Sequence, residues 1–407
     1  MESNVLFQIL GSFFAILLIL STSKKKSGNL ILGAAIGASG GLPYFQIFNL
    51  HGFTILCFLF ILKKHNRENG QTVRTHYLFF SCVLMALTSL WGDLVNNRLL
   101  SIQLLLLSLS AIIVVTKSDK YDIRNIIYGF VVIQTISSVF AFGQVFRLIP
   151  GLYYDTAFSG GRPTGLHLEP DWLGIYSSCA LIILLTKNFV FRIKSLLIIL
   201  NTFALIFSGC RGAWVSLVIV LIIFLFIKFV RGVNDSSLRK TKNKFKQILP
   251  LLFFIVLLEE SIRLLISERV NGLFSNSVDI SAKARILQNE TMLNLIKEGQ
   301  IYGHGLSASG NIGVLGGLSV NGTNSVGSNW ALTLLVDCGI FAMPFFLLLI
   351  YVVFKNKTLT GLLVFLNIMS NALISNVFYQ PIFWLFLALA MKWEQSKETS
   401  TVNSRKS

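Results

Sequence analysis

Residues 213–246 read AWVSLVIVLIIFLFIKFVRGVNDSSLRKTKNKFK, and the two halves of that stretch suit different solvents. The first half is an apolar run close to the ~20 residues an α-helix needs to cross a hydrocarbon core. From Lys228 to Lys246 the chain carries seven Lys or Arg against one Asp. Positive charge of that density beside an apolar span marks the cytoplasmic side of a membrane. The rest of the chain has the same character. Of its 407 residues 54% are hydrophobic and only 13% charged, and the mean hydropathy is +0.69, which excludes an ordinary soluble globule.

Fixing 228–246 on the inside assigns the remaining segments by parity. Basic stretches at 24–26, 63–74, 116–124, 186–194 and 355–357 and the polar tail 392–407 also fall inside. Spans are then expected near 4–22, 29–43, 45–62, 77–92, 98–115, 125–149, 169–186, 193–208, 212–230, 247–265, 329–354, 358–377 and 381–393. The expected fold is an all-α polytopic membrane protein of about thirteen crossings, or about twelve if the short, glycine-rich second segment is re-entrant. Residues 1–407 read as one membrane domain with an outer N-terminus and a large outer loop at 267–327. The first segment has no basic residues ahead of it and reads as a retained span rather than a signal peptide. The net charge of +17 follows topology and anionic lipid. Nucleic acid is not an expected partner, because no aromatic and basic residues interleave. Cys57, Cys82, Cys179, Cys210 and Cys338 all lie in or beside apolar segments without metal-ligand spacing, so they read as buried thiols. No metal or cofactor is expected.

The outer loop is charge-balanced, with Arg269, Lys283, Arg285 and Lys297 against Glu268, Asp279, Glu290 and Glu298. Its first half, DISAKARILQNETMLNLIKEG (279–299), spaces its apolar residues in a nearly helical pattern and predicts a short helix on the membrane surface. Residues 303–327 hold eight glycines among Ser and Asn and read as a mobile loop, either a binding loop or a simple connection.

A second outer element is GGRPTGLHLEPDWLGIY (160–176). Pro170 suits the first turn of a helix that begins near Glu169. That helix, the one after Arg211 and the one after Ser328 all run inward, so three positive dipole ends face outward. Arg162 and Arg211 sit at two of these ends, and Arg285 lies in the loop leading to the third. Arginine forks combined with helix N-termini suit a phosphate or pyrophosphate. Arg211 can equally snorkel to headgroups. Glu169 reads as a cap or a base, and Asp171 as a complement to the first-turn dipole. His167 and His304 are loop histidines or bases. Asp337, inside an apolar span, has to face protein or water. Glu259 and Glu260 read as structural. Trp172, Trp214 and Trp330 lie near the outer boundary, where tryptophan belts the interface or stacks on sugar faces.

Four pieces, in this order, resemble the bacterial O-antigen polymerase and O-antigen ligase family of polysaccharide-assembly enzymes: GRPTGLHLEPDWLGIY (161–176), SGCRGAWVSL (208–217), ARILQNETMLNLIKEGQIYGHGL (284–306) and SNWALTLLVDCGIFAMPFF (328–346). The resemblance covers roughly residues 160–350. It implies a multi-span glycosyltransferase of the GT-C class that uses undecaprenyl-pyrophosphate-linked glycan at the outer face of the bacterial cytoplasmic membrane. It also implies that Arg211 holds the donor pyrophosphate, with Arg162 and Arg285 as further contacts. Such arginines stabilise charge on the leaving group without a metal. Ligases of the family begin the span after the large loop with His-Asn, the histidine being a proposed base. Here Ser328 and Asn329 stand at that place, and a serine without a partner is a poor base. A polymerase is therefore favoured, transferring the growing glycan to one lipid-linked repeat unit of a capsule, O-antigen or other exopolysaccharide. Glu169, His304 and His167 are the base candidates in that order, with Trp172, Trp214, Trp330 and Asn329 on the glycan. Transfer to lipid A core or another acceptor is one alternative. A non-enzymatic flippase or exporter is the other, and predicts internal repeats that are not evident. The expected partners are the lipid-linked oligosaccharide, membrane lipid, and a chain-length regulator and flippase of the same pathway.

Overall fold

The computed structural model describes residues 28–42, 46–47, 50–61, 72–148, 162–186, 193–230, 280–313, 317–318, 326–355 and 359–392. The expected spans at 4–22 and 247–265 (with Glu259 and Glu260), the basic run 231–246 and the tail from 393 lie outside the described residues. In chain order the described elements are α1 (Gly28–Gly40), β1 (Gln46–Ile47), β2 (Leu50–His51), α2 (Gly52–Phe60), α3 (Thr72–Leu87), α4 (Leu99–Lys117) and α5 (Lys120–Val145). They continue with α6 (Pro170–Thr186), α7 (Lys194–Phe207), α8 (Arg211–Val230), α9 (Ile280–Lys297), α10 (Trp330–Cys338), α11 (Met343–Lys355), α12 (Leu359–Ala372) and α13 (Pro381–Lys392). The protein is predominantly helical. Among the described residues, three stretches, α4, α5 and Trp330–Lys355, are long and apolar enough to cross a membrane by length and composition.

Two expected spans are built differently. The segment 45–62 is not helical throughout: Gln46 pairs with His51 and Ile47 with Leu50 in an antiparallel hairpin, and the helix starts only at Gly52. The polar side chains explain this, since the His51 ring meets Gln46 at 3.5 Å and Gln103 at 2.8 Å. The segment 329–354 is interrupted between α10 and α11 by a 3-10 turn, Gly339–Ala342. Gly339 has φ of 52°, and a Cβ there would run into the Ile301 carbonyl oxygen. The Ile340 N–H, freed from the helix ladder, donates to that same Ile301 oxygen at 2.8 Å. Irregular backbone in an apolar span persists only where such partners exist.

The chain divides into two compact units, Met1–Ala15 with Phe130–Ser277, and Ile16–Gly129 with Val278–Ser407. In the first, α6 is the central helix, buried at every residue from Trp172 to Leu184 and packed against α7 and α8. Phe142, Phe146, Phe203 and Phe207 form an aromatic stack beside it. In the second unit α13 has the central place, buried at every position and packed against α1, α4 and α12. A helix buried on all sides needs apolar residues all round, and the sequence PIFWLFLALAMK supplies them. The outer helices show the opposite of the soluble pattern. On α8, Val215, Val218, Ile219, Ile222 and Phe226 are exposed along one face, and on α11 Met343, Leu347, Ile350 and Phe354 are exposed.

Candidate functional site

In the first unit the N-termini of α6 and α8 come together. A Cβ on Gly174, in the second turn of α6, would sit 2.6 Å from both Cys210 Cβ and Ser208 Oγ. Glycine is thus what lets the turn ahead of α8 pack against α6. Gly209, with φ of 60°, makes that turn. Arg162 closes the junction. Its Nη1 donates to Asp171 Oδ1 at 2.9 Å and to the Ser208 carbonyl at 3.3 Å, three residues before Arg211. The expected first-turn carboxylate of Asp171 is therefore also an ion-pair partner, and both side chains are mostly buried. Arg211 is the first residue of α8 and half-buried. Glu169 is exposed, and its carbonyl accepts the first N–H bonds of α6, from Trp172 and Leu173. Pro170 opens α6 as expected.

His167 is a core residue. It is buried, its Nε2 lies 3.3 Å from Gln134 Oε1, and its ring packs on Tyr176. Burial pushes its imidazole down to about 3. The ring is enclosed in this conformation, as is that of His304.

In the second unit the connection from α3 to α4 and the segment after α9 line up along each other. The Leu94 N–H donates to the His304 carbonyl at 3.2 Å, and Asn311 Nδ2 donates to the Leu94 carbonyl at 2.7 Å. Leu306 N–H bonds Thr88 Oγ1, while Asn96 and Asn97 N–H both bond Ser307 Oγ. Gly92 permits the approach, since a Cβ there would overlap the Gly305 Cα and the His304 carbonyl. On the other side His304 N–H donates to Val336 O at 2.9 Å and Gly305 N–H to Asp337 O at 2.8 Å. Residues 303–310 are buried, which corrects the expectation of a mobile loop for this part of 303–327. Their backbone N–H groups are paired, and that removes the freedom their glycines suggest.

Asp337 anchors the arrangement. It is fully buried, and its carboxylate accepts from Ser307 N–H at 3.0 Å, Ser309 N–H at 2.7 Å and the Ser309 hydroxyl at 3.3 Å. The expectation that it faces protein holds, and the protein it faces is the turn carrying His304. His304 itself sits with Nδ1 3.2 Å from Asp93 Oδ1. Gln300 Nε2 donates to the second Asp93 oxygen at 3.2 Å. A carboxylate at Nδ1 selects the tautomer in which Nδ1 carries the hydrogen and Nε2 is an acceptor. Nε2 is buried and has no hydrogen-bond partner among the described residues.

The remaining expected residues have other surroundings. Arg285 is half-buried on α9, in the second unit. The helix predicted on the membrane surface is α9, but Met292 and Leu295 bury against Ile312 and Val336, so it packs onto α10 instead of lying alone. Trp330 is buried among Phe346, Phe378 and Phe383, and Trp172 is buried in α6. Burial leaves neither ring a face for a sugar in this conformation. Trp214 Nε1 donates to Leu205 O at 2.9 Å. Asn329 caps α10, its Oδ1 accepting from Ala331 N–H at 3.0 Å and Leu332 N–H at 3.2 Å. No group of three or more potential metal ligands occurs among the described residues. Sequence reasoning missed Asp93, and nothing in the local pattern WGDLVNN marks it. No protein-family model and no curated protein matches the chain.

Proposed function

We propose that this is a polytopic membrane enzyme that extends a lipid-linked glycan at the outer face of the bacterial cytoplasmic membrane. The donor is a glycan on undecaprenyl pyrophosphate and the acceptor a hydroxyl of a lipid-linked repeat unit. Membrane embedding is supported by the apolar exposed faces of α8 and α11, which in water would be expected to be polar.

The observation that carries the transfer reading is the junction of α6 and α8, where Arg162 and Arg211 stand beside two adjoining helix N-termini. Two positive helix ends and two guanidinium groups at one place suit the pyrophosphate of a leaving lipid carrier. There they would stabilise the charge that develops as the glycosidic C–O bond breaks. Glu169, exposed at the start of α6, and His304, whose Nδ1 faces Asp93, are the candidate proton acceptors. Arg285 remains an expected contact to the donor.

The test is an in vitro assay of the purified full-length protein with the lipid-pyrophosphate-linked repeat unit extracted from its host. A ladder of longer lipid-linked glycans is expected, lost in Arg211→Ala and in Arg162→Ala while both variants remain folded. No ladder from folded wild type with that substrate would overturn the reading, and transfer to a different added acceptor would replace it by a ligase activity.

A further inference from the structure

We infer that Gln144 is a positioning residue of the pyrophosphate site: from α5 it fixes the turn that delivers Arg162 to the junction of α6 and α8. The inference rests on the reading of that junction as the donor site and adds a residue from outside the segments that suggested it. Every residue it uses belongs to the first unit.

The polar side chains of α5 carry the argument. The helix is apolar enough to cross a membrane, yet Gln134, Ser137 and Gln144 are buried in it. Polar groups in such surroundings cost free energy unless they are bonded, so their partners show what they serve. At ~3.6 residues per turn the three lie on one face of α5, and all three meet residues 164–167. Gln144 Oε1 accepts from Thr164 N–H at 3.0 Å and from Gly165 N–H at 2.8 Å, while its Nε2 donates to Thr164 Oγ1 at 3.3 Å. Ser137 Oγ accepts from Leu166 N–H at 3.1 Å, and Gln134 Oε1 lies 3.3 Å from His167 Nε2. Two N–H donors converging on one atom leave the Gln144 amide one orientation, with its oxygen towards the backbone.

The segment so held is a closed turn. His167 N–H donates to the Thr164 carbonyl at 3.0 Å, and Gly165 has φ of 59°. A Cβ on Gly165 would stand 2.5 Å from Ser137 Oγ and 2.6 Å from the Ser137 carbonyl oxygen, so the turn lies directly against α5.

The hold reaches the guanidinium through a stiff link. Only Pro163 separates Arg162 from the first held N–H, and its ring fixes its own φ and restricts the residue before it. At the other end Arg162 Nη1 donates to Asp171 Oδ1 at 2.9 Å and to the Ser208 carbonyl at 3.3 Å. The cation is therefore set at the entrance of α8 from its backbone as well as through its own bonds. A charge set in advance binds an anion without first having to be ordered. Gln144 holds the end of the turn nearest Arg162, whereas Ser137 and Gln134 hold the far end, so its loss releases the arginine while the turn stays attached to α5.

The experiment compares full-length wild type, Gln144→Met, Arg162→Ala and the double variant in two readouts. Methionine keeps the length of the side chain and offers the turn no oxygen. In the first readout, hydrogen exchange by mass spectrometry in peptides covering residues 164–168 should be faster in Gln144→Met, with peptides from α13 unchanged. In the second, purified protein in detergent is titrated with undecaprenyl pyrophosphate carrying no glycan. Gln144→Met should bind it about tenfold more weakly, the scale of ordering one backbone residue anew on binding. The double variant should bind no more weakly than Arg162→Ala, because a residue that acts through Arg162 then has nothing to act on. A general packing defect would add to the loss instead. Unchanged exchange, undiminished affinity in Gln144→Met, or a full further loss in the double variant each overturns the inference. A wild type that binds no undecaprenyl pyrophosphate while the exchange responds removes the donor-site reading, and the positioning role with it, and leaves only the tether.

Discussion

Replacing Asp337 by alanine should loosen the turn that presents His304. The carboxylate lies in the last turn of α10, where the helix dipole disfavours a negative charge, and it is fully buried. It is held by the Ser307 and Ser309 N–H groups at 3.0 and 2.7 Å, with the Ser309 hydroxyl at 3.3 Å. Alanine removes both acceptor oxygens and strands two N–H donors on residues that are themselves fully buried. Each hydrogen bond to a charged group contributes roughly 1.5–3 kcal/mol, so two give about 3–6 kcal/mol. Relief from burying a carboxylate offsets part of this and brings the local cost to about 3 kcal/mol. Opening of the segment should then become about 10²-fold more frequent. Hydrogen exchange read by mass spectrometry on the full-length protein measures this directly in peptides covering residues 301–312. Asp337→Asn, which keeps one carbonyl oxygen, should fall between wild type and alanine. Peptides from α13 should exchange as in wild type in both variants, which separates local release from general unfolding. Equal exchange over 301–312 in wild type and Asp337→Ala would refute the anchoring argument.

Three further outcomes are expected. Asn329→Ala removes the cap from α10 and should cost about 1 kcal/mol, whereas Asn329→Asp should keep it; thermal melting of the two variants distinguishes this from a side chain whose role is glycan contact. His167, pushed down to about 3 from the usual 6.5, should make the fold acid-sensitive. Because the unfolded chain binds the proton first, the stability from a neutral His167 is complete above about pH 6.5 and declines as the pH falls towards 3. Wild type should therefore lose stability relative to His167→Gln between pH 7 and pH 4.5, and parallel melting curves would contradict it. Gly92→Ala should separate the two connections, because its methyl overlaps Gly305 and the His304 carbonyl. Faster hydrogen exchange in peptides covering residues 301–312 without global unfolding would show this, and unchanged exchange would refute it.

The legible parts of the fold were those bounded by residues whose chemistry ends a helix. α6 begins at Pro170, α13 begins at Pro381 and α8 follows Gly209, and each lies where the sequence places it. The hairpin at 46–51 was hidden because an apolar count passes over Gln46 and His51, whose partners come from folding. The break at Gly339 was hidden for a related reason: the carbonyl that satisfies the freed N–H belongs to Ile301, on a different element. Of the residues singled out, Arg162 and Arg211 were legible as lying beside helix starts, whereas Arg285 lies within α9. Asp93 was not legible, because 211 residues separate it from His304 and no period or spacing spans that interval. The tryptophans were legible as aromatic but not as buried, since Trp330 owes its burial to Phe378 and Phe383 from the far end of the chain.

The position of His304 also bears on which transfer the site suits. In the resembled ligases the proposed base stands immediately before Asn329, at the start of the helix that is α10 here. In this chain Asn329 is engaged by Ala331 and Leu332 as a cap, and Ser328 precedes it. The His304 peptide N–H is tied instead to Val336, eight residues beyond Ser328, which at ~1.5 Å per residue is about 12 Å along the helix. A base acts only within roughly 2.6–3.2 Å of the proton it removes, or through one water. With His304 as the base, the acceptor hydroxyl has to approach the connection between α3 and α4, where Asp93 and Gly92 lie, and not the start of α10.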